Sequence, residues 1–297
     1  MATMTESVSV PGGGPSATED GVRRRRWGWS ALLWIVVAFL FVNLVALVAS
    51  VVVDSFGKRW FGGWLPEGFT THWYADAWQE FDLSSVMLVT LEVAVAVVVI
   101  SVVIGVPASY VLARREFPGK RVLMLLFVLP ILVPPITYGI PLATLLYSWH
   151  LAGSLSGVIL ANLVPAVPFV ILTMTPFIEQ IDPKIEAAAR MCGAPTRVVF
   201  TRVLTPLLVP GILAACILVL VRTVGMFELT FLTSGPTSTT LVVSLYDAVF
   251  SAGIRANQSV DAMASIYTFS MMVLLVIALR FVNPTQLVTR VREEPAE

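Results

Sequence analysis

Six runs of apolar residues, at 31–53, 86–112, 122–147, 156–177, 206–231 and 262–282, constrain this chain more than anything else in it. A helix needs about 20 residues to cross a ~30 Å hydrocarbon core, and every run reaches that length. Of 297 residues, 57% are hydrophobic and only 13% charged, whereas a soluble domain carries about 25% charged residues. No single core could hide that much apolar surface from water, so lipid is the expected solvent. The runs are continuous and do not alternate, which predicts helices and excludes barrel strands. The second, third and fifth runs are longer than a crossing needs, which predicts tilt, kinking or extension past the lipid. The fold class is all-α: a polytopic membrane protein with about six transmembrane helices.

Lysine and arginine set the orientation. Of the 19, fifteen fall in residues 23–26, 114–121, 184–202 and 280–292, all on one side if the runs alternate in direction. Lys58, Arg59 and Arg255 fall on the other side, and Arg222 lies inside the fifth run. Cytoplasmic loops carry the positive excess, so both termini are expected in the cytoplasm. Residues 1–29 read as a disordered cytoplasmic tail with a basic end. Residues 30–282 form the membrane domain, in which 178–205 is a cytoplasmic loop, and 283–297 form a C-terminal cytoplasmic tail. Arg23 to Arg26 before an apolar run also fit a signal peptide. The run is longer than an h-region and no small-residue cleavage site is evident near Asp54, so an uncleaved anchor is expected. The formal net charge is zero, which argues against a nucleic-acid partner. Cys192 and Cys216, at or near the cytoplasmic side, predict neither a disulfide nor a metal site.

The outer loop 54–85 holds Trp60, Trp64, Trp73, Tyr74 and Trp78. It reads either as an interfacial aromatic belt or as a docking surface for an extracellular partner. In the second long outer segment, 232–261, the turn signal Ser234-Gly235-Pro236 precedes an apolar stretch, Leu241 to Phe250, that predicts a short helix either resting at the interface or dipping back into the membrane.

Within the loop between the fourth and fifth runs, Asp182 is a suitable N-cap and Pro183 suits the first helical position. Ile185 to Met191 favours helix through its alanines, Glu186 and Arg190 are spaced to pair at i, i+4, and Gly193 ends the helix. A second helix starts at Pro195 and enters the membrane at Pro206. A short helix with a small-residue surface is either a linker or a docking element.

This stretch resembles the EAA loop of permease subunits of binding-protein-dependent ABC importers. That pattern is Glu-Ala-Ala, three residues, Gly, nine residues, an aliphatic, one residue, then Leu-Pro. Ala188, Ala189, Gly193, Ala194, Val203, Pro206 and Pro210 fit it. Ala187 stands at the motif glutamate, with Glu186 one position earlier, and Thr205 stands at the motif leucine. One position is a 100° turn on a helix, so Glu186 is not expected to make the motif glutamate's contact. Thr70-Thr71-His72-Trp73-Tyr74, and Leu241 to Tyr246 followed by Gly253, Asp261 and Ala262, are similar to the spermidine/putrescine-type branch, with sugar permeases sharing the layout. The resemblance spans roughly 70–282. It implies a type I ABC importer permease fold in the bacterial plasma (inner) membrane. It also implies an assembly with an ATPase dimer, a second permease subunit and an extracellular solute-binding protein. Residues 182–194 would then be the coupling helix, with Glu186, Ala188, Ala189, Arg190, Gly193 and Ala194 contacting the ATPase. The chain has no G-x-x-x-x-G-K-[ST], so ATP and magnesium belong to the partner and no cofactor is expected here.

Charges inside a span carry an insertion penalty of about 2.5–3.5 kcal/mol, so Glu92 in the second run and Arg222 in the fifth each need a reason. They either pair with each other inside the bundle, or line the translocation pathway with Glu228 and Asn162, or the span edges lie elsewhere and Glu92 or Glu228 is solvated. Pro130, Pro134, Pro135 and Pro141 in the third run, with Pro165 and Pro168 in the fourth, predict broken helices, either at a moving gate or in a static bundle. Gly105 and Gly139 predict close helix packing. A membrane enzyme would need clustered nucleophiles, bases or ligands, and His72 and His150 are the only histidines. A secondary transporter would show inverted repeats of broken spans, and none is evident.

Overall fold

The computed structural model describes residues 17–58, 66–250 and 257–281. The chain divides into two units, residues 1–53 and 54–297. The first is the greater part of α1 (Ala17–Ser55). Its segment from Leu32 is apolar on every side, and Trp34, Phe39 and Phe41 are exposed. A helix apolar all round is a membrane span. The helix begins at Ala17, so residues 17–29 of the expected tail are helical. Residues 1–16 and the tail 283–297 lie outside the described residues.

Among its described residues, the second unit contains four unbroken helices of spanning length. They are α3 (Leu83–Arg114), α6 (Leu155–Glu179), the segment Thr196–Val224 and α12 (Asn257–Phe281). A bent pair, α4 (Lys120–Leu132) and α5 (Pro135–Ser148), supplies one more, with 97° between its halves. The bend is local chemistry. A residue before proline is driven out of the helical region, and here Val133 precedes Pro134 and Pro134 precedes Pro135. Both take extended angles, ψ 133 and ψ 131. Pro135 then opens α5, where a missing N–H is harmless.

The main core lies where α3 packs on α6 and α9 (Thr205–Val224), around Val97, Val106, Val170, Met174 and Leu208. Gly105 makes that contact possible, since a Cβ there would sit 2.6 Å from Val170 Cγ1. Gly139 does the same for α5 against α10 (Glu228–Thr233), where a Cβ would stand 2.9 Å from Leu232 Cδ1. Both glycines are packing devices, as the sequence predicts.

At the end opposite the basic loops, α2 (His72–Glu80) and α11 (Leu241–Phe250) pack with α3 and α12 around Ala77, Leu83, Leu241 and Met263. The predicted short helix at 241–250 matches α11 residue for residue. Trp73 Nε1 donates to the Gly57 carbonyl at 2.8 Å, and the Tyr74 and Ser55 hydroxyls are 2.7 Å apart. Those two aromatics are therefore spent within the loop, while Trp78 is exposed. Trp60 and Trp64 lie outside the described residues.

The fifth run departs from expectation. Its helix stops at Val224, capped by Gly225, and Glu228 begins the separate α10. Arg222 therefore sits in the last turn of α9, not deep in a helix running on to residue 231.

Candidate functional site: the basic-end elbow

The loop that leaves α6 forms α7 (Pro183–Met191). The Asp182 carboxylate accepts from the Lys184 N–H at 2.9 Å, and Pro183 occupies the first turn. Its exit is a Schellman turn, in which Ala194 N donates to Ala189 O at 3.1 Å and Gly193 N to Arg190 O at 2.9 Å. Gly193 takes φ +81, the left-handed conformation this turn requires. A one-turn α8 (Thr196–Val198) follows, then a π-helical stretch Val199–Leu204 that runs into α9. The Thr205 hydroxyl donates to the Phe200 carbonyl five residues back at 2.9 Å. This π-turn passes through the position where threonine replaces the pattern's leucine.

Glu186 faces inward, with 5% of its surface exposed. Its Oε1 accepts from Arg114 Nε at 2.7 Å and its Oε2 from the Tyr110 hydroxyl at 2.7 Å. Arg114 also donates to the Ile181 carbonyl at 2.7 Å. The expected i, i+4 partner, Arg190, stands 3.6 Å away and is secondary. Charge-assisted bonds of this length are strong, and together they bolt α7 to the basic end of α3. Tyr110 in turn meets Phe200 edge-on, with ring centroids 5.4 Å apart, which links the bolt to the π-helical stretch.

With Glu186 turned inward, the opposite side of α7 is exposed. Ile185 and Met191 are 42% and 85% exposed. Lys184, Ala187, Ala188, Arg190 and Gly193 are also exposed, while Ala189 and Ala194 pack against the core. Of the six expected coupling residues, Glu186, Ala189 and Ala194 thus serve the fold, and Ala188, Arg190 and Gly193 are accessible. Sequence reasoning missed Tyr110 and Arg114, whose partner lies 76 and 72 residues further along the chain. Arg114 had registered only as one more cytoplasmic charge.

Of the pathway candidates, Arg222 and Glu228 flank the break between α9 and α10. Glu92 is exposed on α3, and none of the salt bridges among the described residues joins it to Arg222. The expected pair is not formed: the Arg222 guanidinium lies over the Phe169 ring, 5.6 Å from its centroid. Asn162 is 2% exposed, and its Nδ2 donates to Thr230 Oγ1 at 3.2 Å and to the Val158 carbonyl at 2.9 Å. It ties α6 to α10 and does not line an open cavity. Glu228 is half-buried at the start of α10.

Residues 101–285 match the family "Binding-protein-dependent transport system inner membrane component". The match covers more than half of the chain, and the chain belongs to that family. It is 31% identical over 202 residues to the trehalose transport system permease protein SugB of Mycobacterium tuberculosis, covering 68% of this chain and 73% of that one. It is 32% identical over 274 residues to the chloroplastic sulfate permease 2 of Chlamydomonas reinhardtii, covering 84% and 71%. Its fold is similar to a chain of a bacterial ABC transporter involved in import of the acidic polysaccharide alginate. There the TM-score is 0.68 at 17% identity, over 86% of this chain and 98% of the other.

Proposed function

We propose that this family member is one of two permease subunits of an ATP-driven solute importer, and that α7 is the element through which a separate ATPase dimer acts on it. The basic end of the helices is then cytoplasmic, with both termini there, in the bacterial plasma (inner) membrane. ATP and magnesium are bound by the ATPase, and a solute-binding protein delivers the solute at the opposite face.

The observation that carries this reading is the two-sidedness of α7. Inward, the Glu186 carboxylate is held by Arg114 and Tyr110. Outward, Ile185 and Met191 are exposed, as are Lys184 and Arg190. Exposed apolar side chains set among charges are interface chemistry. A displacement of α7 passes through Glu186 to α3 and through the Schellman turn towards α9.

The polyamine reading rests only on the resemblance at Thr70 to Tyr74 and Leu241 to Tyr246, and the relatives named above carry trehalose and sulfate in their names. A sugar or an oxyanion is therefore the better-supported solute. The test is purification from the native membrane, with identification of the accompanying chains. The wild type is expected to bring an ATPase and a second permease, and Met191→Asp to lose the ATPase while still inserting. Recovery of this chain alone, with uptake driven by an ion gradient, overturns the proposal.

A further inference from the structure

We propose that the transported solute carries an anionic group and that Arg222 receives it, an inference that rests on the importer reading. Two interrupted helices lie against each other in this region. One is the pair α4/α5, broken at Val133–Pro134, and the other is α9/α10, broken at Gly225–Phe227. They touch where Gly139 meets Leu229 and Leu232. Interrupted backbone at membrane depth is tolerated where it is buried in protein or lines a water-filled cavity.

Arg222 stands at the α9 side of that break, half-buried. None of the salt bridges among the described residues includes it. The Phe169 face and the carbonyl end of α9 favour a cation there, but neither supplies a counter-ion or spends the guanidinium's donors in a planar pair. Arg222 sits in the last turn of α9, beside the break and not deep in the helix, where an unpaired ionisable side chain is a candidate contact for a solute. Glu228 opens α10 just beyond the break and is likewise in none of those ion pairs. A mixed pair of free charges suits a solute with hydroxyl or ammonium donors beside its anionic group. It disfavours a polyamine, which Arg222 repels.

The assembled complex, purified in lipid nanodiscs, is heated at constant ionic strength with glucuronate, taurine or glycerol 3-phosphate. Trehalose and putrescine serve as uncharged and cationic comparators. At least one anion is expected to raise the unfolding temperature in a concentration-dependent way. The shift should be lost in Arg222→Gln and largely kept in Arg222→Lys. No shift with any anion, a shift that survives Arg222→Gln, or an equal shift with trehalose or putrescine overturns the inference. ATP hydrolysis by the same preparation separates the two readings. An active complex that ignores the anions sinks this inference alone, while a wild-type preparation without an ATPase sinks the importer reading as well.

Discussion

Arg114 ends α3 and Glu186 lies in the first turn of α7, 72 residues later, yet Nε and Oε1 meet at 2.7 Å with Glu186 buried and Arg114 largely so. This pair joins the membrane bundle to α7. Breaking a buried pair from one side costs about 3–5 kcal/mol, because the orphaned charge is left without water. Glu186→Ala and Arg114→Ala are each expected to lower stability by that order, and the double variant by clearly less than their sum. Unfolding of the three variants in detergent measures this, and strictly additive losses would show that the pair is not coupled.

Gly193 tests the turn separately from the pair. A Cβ there would meet nothing within 4 Å, so any penalty is purely backbone. Left-handed conformation costs an ordinary L-residue about 1–2 kcal/mol. Gly193→Val is expected to weaken association with the ATPase while membrane insertion persists, and Gly193→Asn to be milder. Unchanged copurification and transport in the valine variant would refute the role assigned to this turn.

Gly105 and Gly235 differ in what they would strike. At Gly105 the obstacle is the Val170 side chain at 2.6 Å, whereas at Gly235 it is the backbone of Gly153, with Cα and O both at 2.7 Å. A side chain can be trimmed and a backbone cannot. Gly105→Ala should cost about 1–3 kcal/mol by overpacking, and Val170→Ala should relieve it only in part, because the Val170 Cβ would still stand 2.8 Å away. Gly235→Ala should have no comparable rescue at Gly153. Thermal unfolding of the single and double variants decides between them, and a partial rescue of Gly105→Ala is the expected result.

Glu92 and Arg222 are expected to behave independently. The Arg222 guanidinium rests on Phe169, and Glu92 is exposed on α3. The double-mutant cycle should therefore be additive, within about 0.5 kcal/mol. A large coupling energy would mean that the two side chains meet in the functional state.

Much of this architecture was legible because it is written locally. The apolar runs announce the spans, the consecutive prolines at 134 and 135 announce the break, whereas Pro165 and Pro168 leave α6 unbroken against expectation, and Asp182, Pro183 and Gly193 delimit α7 through their own backbone preferences. Leu241 to Phe250 appears as a helix for the same reason. The fifth run was read too long because composition stays apolar through Gly225, and only the cap geometry there ends the helix.

What the sequence by itself determined is the membrane, the number of apolar crossings, the excess of positive charge on one side, and the short helix with its glycine exit. Each of these follows from residues within a few positions of one another. Tertiary structure alone decided which way Glu186 faces, that Arg114 and Tyr110 hold it, that Asn162 bonds to Thr230, and that Arg222 forms no ion pair among the described residues. Those facts depend on which helices become neighbours, and a contact between residues 68 to 76 positions apart leaves no periodic trace in a single sequence.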